Sequence, residues 1–498
     1  MFNLIKQTGK HTIIYSLGNL STKLVGIVLL ALYSSYINIA DYGEWALFDV
    51  IIQVCITVFT LNIPLAMIRW SGDEEDPYKQ KEIVFTSLVG TFVIATIVGI
   101  IIYLQSEFLS EIIFQQKKYT EYFQWLSVTI VFGIFSHIPL NLMRLREKSL
   151  FFSFVMISKF VLIMIFNIYL IAYLDMGIEG IIISLLIGHV YNFLICLPLI
   201  IKNSVFSFNR IIFNEMLKYG LPLVFSSSAT LIFNFTDRFL IKFFLDEEKL
   251  GVYSLAQRVG GFINVFLIQS FSLGFLPIAF KNMKQSNASR FFSKTLTYFT
   301  LSLVLFALFL SLFSKELLTL FSQNKDYIEA YKYIPLITLV FVFRGINYMF
   351  QLAFHFTKKT KYLAYITLGG AVLNISLNIL LLKLFDIYGA VFSMLITFIT
   401  LSFIYKYYSQ KLYPINFEIK KVVTVILTSI LLFSLSMFLD PLNIYLRVIS
   451  KLTLIVSLPF ILYQFNFYED VEINKIKELY LKFKNPKSWK SNIKDLLK

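Results

Sequence analysis

Charged residues are scarce in this sequence. Asp, Glu, Lys and Arg together make up 15% of its 498 residues, whereas soluble domains carry about 25%. Hydrophobic residues make up 57%, and the mean hydropathy is +0.72. Many apolar runs reach about 20 residues, the length that crosses a hydrocarbon core of about 30 Å. A soluble globular fold is therefore excluded, and the runs leave no room for a separate soluble domain.

Cysteine is also scarce, and the usual signatures of catalysis are missing. Cys55 and Cys196 lie in separate apolar runs, and two isolated cysteines make neither a disulfide framework nor a metal site. The sequence contains no nucleotide-binding P-loop, no cluster of metal ligands and no nucleophile–base pattern. We therefore expect no catalytic residue, no metal, no cofactor and no enzymatic activity.

The apolar runs predict an all-α integral membrane protein with about fourteen transmembrane helices. The predicted spans lie near residues 12–37, 42–70, 83–105, 121–143, 150–174, 177–201, 215–245, 250–280, 291–313, 333–356, 362–384, 386–407, 421–439 and 445–465. The first run is too long for the apolar core of a cleavable signal peptide. We interpret it as an uncleaved first helix.

The net charge of +15 comes mainly from short loops on one side of the predicted membrane. Loops on the other side, such as 38–41 and 175–179, contain no Lys or Arg. The positive-inside rule places the cation-rich side, and with it both termini, in the cytoplasm. The charge therefore indicates orientation in a membrane, and we expect no nucleic-acid partner.

Short motifs recur six predicted spans apart. The segment Asp41-Tyr-Gly-Glu-Trp opens the second span and Lys249-Leu-Gly-Val-Tyr the eighth, while Asp175-Met-Gly precedes the sixth and Asp386-Ile-Tyr-Gly the twelfth. Parallel repeats of this kind predict two six-helix lobes with the substrate path between them. The predicted divisions are an N-terminal lobe 1–201, a C-terminal lobe 202–411, two additional helices 412–465 and a basic cytoplasmic tail 466–498.

Polar residues inside the spans align on helical faces. A charge at the bilayer centre costs roughly 2.5–3.5 kcal/mol, so Lys23, Arg258 and Arg344 favour a cavity over lipid. Ser, Asn and Gln often form hydrogen bonds between membrane helices, and for Ser and Thr alone that interpretation is favoured. The predicted cavity residues are Lys23, Arg258, Arg344, Asn19, Asn234, Gln257, Asn264, Asn347 and Gln351.

The predicted cavity is cationic and rich in amides and hydroxyls. Arg and Lys hold phosphate, and the amides would exchange hydrogen bonds with sugar hydroxyls. An anionic, polyhydroxylated cargo is therefore expected. Two carboxylates also lie inside predicted spans, Asp49 in the second and Asp237 in the seventh. They either balance the cations or bind a coupling H⁺ or Na⁺.

Three segments resemble the Wzx-type polysaccharide flippases of the multidrug/oligosaccharidyl-lipid/polysaccharide exporter superfamily. They are Tyr219-Gly-Leu-Pro-Leu, Asn234-Phe-Thr-Asp-Arg-Phe-Leu-Ile and Gly251-Val-Tyr-Ser-Leu-Ala. The resemblance implies that undecaprenyl-pyrophosphate-linked oligosaccharide moves to the outer leaflet by alternating access. It also implies membrane lipids and polysaccharide polymerase or assembly proteins as partners. In related flippases, cations of the first, second and eighth helices face the cavity; Lys23 and Arg258 match, whereas Asp49 occupies the second helix.

Several other functions compete with this interpretation. A lipid II flippase, or a flippase of another lipid-linked glycan, would have a similar cavity. A multidrug exporter of the superfamily would favour carboxylates and aromatic walls, against which the three cations argue. A polysaccharide polymerase or ligase would carry a large external loop, and these loops are short. A scaffold leaves the aligned charges unexplained. The product, whether O-antigen, capsule or exopolysaccharide, stays open.

Overall fold

A computed structural model of the chain describes residues 29–474 apart from 322, 323, 358, 440, 442 and 471. Within helices, the side chains of 225–230, 234, 273, 277, 321 and 360 are not described. All regular elements in the described ranges are helical. The α-helices are α1 (29–36), α2 (Ile39–Phe59), α3 (Ile63–Asp73), α4 (Pro77–Leu104), α5 (Ser106–Phe114), α6 (Thr120–Phe135), α7 (His137–Leu145), α8 (Ser149–Asn167), α9 (Gly177–Lys202), α10 (Arg210–Phe244), α11 (Glu247–Gly260), α12 (Ser270–Asn282), α13 (Ala288–Leu312), α14 (Ser314–Phe321), α15 (Lys325–Ile328), α16 (Ile334–Phe356), α17 (Thr360–Phe385), α18 (Ile387–Leu412), α19 (Ile419–Ser436) and α20 (Ile444–Gln464).

The helices confirm an all-α, multi-pass membrane fold. Within the described residues, 12 helical stretches are long and apolar enough to cross a membrane. The first predicted span lies largely outside the described residues. The seventh corresponds to α10, in which several side chains are not described. The count of fourteen therefore stays a prediction.

The second predicted span is broken into α2 and α3. Proline lacks an N–H and clashes with the carbonyl group four residues earlier, so Pro64 interrupts the helix at Thr60. Leu61 and Asn62 adopt φ values of 49° and 51°, in the left-handed region. This conformation is unfavourable for a branched side chain such as leucine, and the backbone adopts it where α3 begins. The short helix α3 is thereby positioned separately from α2.

Contacts divide the chain into two compact units. The larger contains residues 1–284 and 314–414, and the smaller contains 285–313 and 415–498. The larger unit includes helices from both predicted lobes, and the division into lobes stays a prediction. All the predicted site residues that the structure describes belong to the larger unit.

Two glycines of the repeated motif pack against each other's helix in the larger unit. A Cβ atom added to Gly43 on α2 would lie 2.2 Å from the carbonyl oxygen of Glu247 on α11. A Cβ atom added to Gly251 on α11 would lie 2.0 Å from the carbonyl oxygen of Ile39 on α2. Each glycine thus meets the residue four positions before the other, and only a residue without a side chain permits this approach.

The loops before these helices repeat as well. Asn38 accepts a hydrogen bond from the Asp41 amide at 2.8 Å, and Asp246 accepts one from the Lys249 amide at 2.8 Å. Both side chains are helix N-caps, five residues before the two glycines. The two copies of the repeated motif therefore share the same N-cap hydrogen bond as well as similar residues.

The smaller unit is organised around Lys294 on α13. Its ammonium lies 2.6 Å from Glu469, 3.1 Å from Glu418 and 3.7 Å from Glu472. Arg290 adds a second contact to Glu469 at 2.9 Å. These ion pairs attach residues 469–472 to α13.

Acid should release this attachment only at low pH. The hydrogen bond from Lys294 lowers the pKa of Glu469 below its ordinary value, which is about 4.3. A lowered carboxylate pKa stabilises the fold above the unfolded-state pKa, and the contribution is lost as pH falls through the folded-state pKa. We expect hydrogen-exchange protection factors for residues 465–474 to be constant from about pH 7 to 5 and to fall below about pH 4. Lys294→Met should lower them already at pH 7; unchanged protection in that variant would contradict the assignment.

Candidate functional site

Arg258 on α11 is held by side chains of the first two helices. Its guanidinium donates a hydrogen bond to the Tyr42 hydroxyl at 3.2 Å, and its Cζ lies 5.9 Å from the centre of the Tyr33 ring. Asp49, one of the predicted carboxylates, interacts with it electrostatically. The arginine is half-buried, so a cation inside the membrane has polar neighbours from the other predicted lobe.

The two tyrosines that contact Arg258 belong to a cluster of three. The ring centres of Tyr33 and Tyr42 lie 6.5 Å apart, and those of Tyr42 and Tyr327 lie 5.7 Å apart. The Tyr33 hydroxyl donates to Asn167 at 3.0 Å, and that of Tyr327 donates to the carbonyl oxygen of Ile37 at 2.9 Å. Sequence reasoning missed this cluster because tyrosines in apolar runs look like packing residues. The only available signal was their polar tip, which needs a partner when buried.

Arg344 on α16 is the second described cation of the predicted cavity. It is half-buried, and its Cζ lies 6.0 Å from the centre of the Phe341 ring on the same helix. No hydrogen bond or ion pair reaches its guanidinium from the part of the chain that the structure describes. Its N–H groups are therefore available to a ligand.

The helices that carry the two arginines pack directly together. A Cβ atom added to Gly260 would lie 2.5 Å from a methyl carbon of Ile337, and one added to Gly261 would lie 3.7 Å from the Phe341 ring. The glycines let α11 approach α16 closely. Arg258 and Arg344 thus extend from two helices in contact.

Asp237 on α10 is the second predicted carboxylate, and it is 3% exposed. It accepts hydrogen bonds from the Tyr253 hydroxyl and, at 3.0 Å, from the Arg238 amide. The Gln257 amide donates to the same Tyr253 hydroxyl at 2.8 Å. Asp237 and Gln257 are therefore linked through Tyr253, a residue that sequence reasoning missed.

Tyr253→Phe should destabilise the protein because it removes the hydroxyl donor from the buried Asp237 carboxylate. A buried polar group without its partner costs about 1–3 kcal/mol, and more if it is charged. We expect a lower thermal unfolding temperature in detergent, with partial recovery in Tyr253→Phe/Asp237→Asn, whose amide carries no charge. Tyr445→Phe is the matched control, since Tyr445 is 79% exposed. Equal unfolding temperatures for wild type and Tyr253→Phe would refute the link.

The remaining predicted residues lie apart from these groups. Asn347 is 2% exposed and donates to the carbonyl oxygen of Phe398 on α18 at 3.1 Å, while Gln351 bonds the Tyr405 hydroxyl. Asn264 begins a π-helical turn that follows α11. Asn19 and Lys23 lie outside the described residues, and the side chain of Asn234 is not described. Their roles in a cavity stay predictions.

A further titratable group lies among spans four to six. The Lys159 ammonium is 3.1 Å from Nδ1 of His189, and the Ser136 hydroxyl is 3.3 Å from the same nitrogen. No carboxylate pairs with Lys159 among the described residues. The two side chains face each other across α8 and α9, a pairing that sequence spacing does not reveal.

Known proteins share this fold. The chain is similar to the lipid II flippase MurJ in an inward closed conformation, with a TM-score of 0.73, 17% identity and coverage of 92% of this chain and 100% of that one. It is similar to an inward-facing multidrug resistance MATE family transporter, with a TM-score of 0.66, 15% identity and coverage of 80% and 94%. At these identities the likeness is one of fold.

Sequence comparison assigns the family. The chain is 23% identical over 283 residues to protein 1 of the Lsg locus of Haemophilus influenzae, covering 55% of this chain and 67% of that protein. The MatE family profile matches residues 222–380. The profile of the polysaccharide biosynthesis protein family matches residues 8–283, more than half of the 498 residues. The chain therefore belongs to the polysaccharide biosynthesis protein family, as the resemblance in its motifs predicted.

Proposed function

We propose that the protein is a flippase for undecaprenyl-pyrophosphate-linked oligosaccharide repeat units. It moves them from the cytoplasmic to the outer leaflet of the bacterial plasma membrane by alternating access through a cationic central cavity. Its products are precursors of a surface polysaccharide such as O-antigen or capsule. Membrane lipids and a polysaccharide polymerase are its expected partners, and both termini lie in the cytoplasm.

Arg344 is the main support for this function. An intramembrane arginine costs several kcal/mol unless it faces water, a partner or a ligand, and Arg344 has no polar partner among the described side chains. A guanidinium in this state matches a pyrophosphate, which it binds in bidentate fashion. Arg258, on the adjacent helix, supplies a second cation that is fixed in place by Tyr42.

The carboxylates of Asp49 and Asp237 are compatible with an anionic cargo only if other groups of the protein bind them. Asp237 is bound by Tyr253, and Asp49 accepts from Gln53 at 2.8 Å and interacts with Arg258. Both therefore have local donors, which favours charge balance over coupling to an ion. Asp237 is thus hydrogen-bonded within the protein and Asp49 interacts with a cation, so neither is an isolated carboxylate.

A multidrug exporter is the second candidate, because MATE transporters share the fold and the MatE profile matches part of the chain. A cation exporter would need an unpaired carboxylate in the cavity. The described cavity residues instead leave a guanidinium unpaired, so the glycan cargo is favoured. A lipid II flippase such as MurJ differs from the proposal only in the glycan.

Transport by the purified protein in proteoliposomes tests the function. One preparation contains a fluorescent undecaprenyl-pyrophosphate oligosaccharide, the second contains fluorescent lipid II and the third is loaded with ethidium. We expect the oligosaccharide lipid to become accessible to a membrane-impermeant quencher at least tenfold faster than in protein-free liposomes. Preferential movement of lipid II would reassign the cargo, and transport of ethidium alone would refute the flippase.

A further inference from the structure

The short helix α3 brings an arginine and a tryptophan to the start of α10. Its buried face, which includes Ile63, Ala66 and Met67, packs with Met216 of α10, and all four side chains are fully buried. A Cβ atom added to Gly220 on α10 would lie 2.0 Å from the carbonyl oxygen of Leu61. The break in the second span is therefore fixed against α10, and the outer face of α3 is held rigidly.

Arg69, Trp70 and Tyr219 form one cluster on this seam. The Arg69 Cζ lies 4.9 Å from the centre of the Tyr219 ring and 5.6 Å from that of Trp70. The two rings meet edge to face, 5.5 Å apart with an angle of 65° between their planes. The Trp70 indole N–H donates to Glu215 Oε2 at 3.2 Å, which fixes the orientation of the ring.

The cluster has unused hydrogen-bonding groups. Arg69 is exposed, and no hydrogen bond or ion pair reaches it from the described part of the chain. Stacking occupies one face of a guanidinium and leaves the N–H groups around its edge free. Glu215 is also exposed and has a second carboxylate oxygen. Aromatic rings, free N–H donors and a carboxylate acceptor thus lie together.

The local charge decides which ligand fits. Arg69 and Glu215 carry opposite charges, and the adjacent run Asp73-Glu-Glu-Asp76 adds four acidic residues against one further cation, the exposed Lys218. A pyrophosphate would meet these carboxylates, whereas an uncharged sugar would not be repelled. Sugar rings present apolar C–H faces to aromatic rings and hydroxyls to Arg and Glu, which is the pattern of groups found in this cluster.

We infer that Arg69, Trp70, Tyr219 and Glu215 form a docking site for the oligosaccharide part of the cargo. The site rests on the proposed function for the identity of its glycan. The site lies at the cytoplasmic ends of its spans, as the positive-inside rule assigns them. The lipid-linked glycan starts its passage on that side of the membrane. The site receives the sugars, and Arg258 and Arg344 receive the pyrophosphate.

Binding of a lipid-free glycan tests this assignment. The probe is the oligosaccharide released by mild acid from the lipid-linked fraction of cells that lack the protein, so that it carries neither prenyl chain nor phosphate. Full-length protein in phosphatidylcholine nanodiscs is titrated by calorimetry and saturation-transfer NMR. We expect wild type to bind, with Arg69→Gln and Trp70→Ala each weakening binding at least tenfold.

Trp125 provides the matched control. Its indole N–H donates to Glu179 at 2.9 Å, another tryptophan–glutamate pair, but no arginine stacks on it in the described residues. Trp125→Ala and Lys218→Gln, which removes an exposed cation beside Tyr219, should change affinity less than twofold. Equal weakening by all four variants, or no binding by wild type, would overturn the site. Arg69-dependent binding of inorganic pyrophosphate, with none of the oligosaccharide, would also overturn it.

Arg344→Ala separates this site from the central cavity. The variant should bind the lipid-free oligosaccharide as wild type does while losing export. Loss of export without any oligosaccharide binding by wild type would overturn the docking site and leave the flippase standing. Normal export by Arg344→Ala, together with binding that depends on Arg69, would overturn the central cavity and leave the docking site standing.

Discussion

Arg344→Ala is expected to abolish glycan export without destabilising the protein. The guanidinium has no polar partner among the described residues, so its removal breaks no internal bond. It also removes a cation whose placement in a membrane costs roughly 2.5–3.5 kcal/mol. The thermal unfolding temperature should therefore equal or exceed that of wild type, whereas a residue with a purely structural role would lower it.

The expected loss of transport follows from the bonds that the cargo would lose. A hydrogen bond to a charged group contributes about 1.5–3 kcal/mol, so losing both bonds of a bidentate contact should slow export by roughly 10²- to 10⁴-fold. Export is measured as surface glycan in cells at matched protein levels, and as flipping in proteoliposomes. Arg258→Ala should lose export as well, but with reduced stability, because Arg258 also holds Tyr42.

Arg210→Ala is the control for the loss of one positive charge, since Arg210 is exposed at the start of α10. It should export normally. Normal export by both Arg344→Ala and Arg258→Ala would remove the support for a cationic cavity. A marked fall in the stability of Arg344→Ala would instead identify it as a structural residue.

Gly251→Ala is expected to reduce both stability and transport. Its added methyl group would lie 2.0 Å from the carbonyl oxygen of Ile39, so α2 and α11 must separate. Overpacking of this kind typically costs about 1–3 kcal/mol. Since Arg258 on α11 bonds Tyr42 on α2, the separation should also disturb the cation and slow export.

Gly43→Ala should have an effect of similar size, because its methyl group would meet Glu247 in the same way. The double variant should cost less than the sum of the two, since one displacement of the helices relieves both clashes. Gly369→Ala on α17 is the control, because nothing lies within 4 Å of its added Cβ. Thermal unfolding in detergent measures all four proteins; additive effects would show that the two contacts are independent.

The positions of the helices could be predicted because the membrane imposes them locally. A span needs a long apolar run, so the predicted span 177–201 corresponds to α9 at Gly177–Lys202, and 333–356 corresponds to α16 at Ile334–Phe356. The break between α2 and α3 was not predicted, although Pro64 is its signal. Hydropathy averages over such a residue and does not register its missing N–H.

Contacts between helices could not be predicted in the same way. Lipid is as apolar as the helix faces, so the apolar pattern does not tell which helices pack together. The smaller unit joins α13 to α19 and α20, helices far apart in the chain. No local pattern of residues specifies that grouping.

The sequence predicts the charged residues of the candidate site but not the residues that surround them. Arg258 and Arg344 stand out because an intramembrane charge is costly. Their surroundings do not stand out, since Tyr33 and Tyr42 resemble the many aromatic residues of apolar runs. Helical spacing alone does not identify cavity residues, as Asn347 shows. It lies on the same helical face as Arg344, yet its amide donates a hydrogen bond to the backbone of α18.

The contact between Gly43 and Gly251 also has a local two-fold symmetry. Each glycine meets the residue four positions before its counterpart, so one copy of the repeated motif packs against the other. Two identical half-length polypeptides would make this self-complementary contact across a two-fold axis. The crossing thus has the local geometry of an isologous interface, although both motifs belong to one polypeptide.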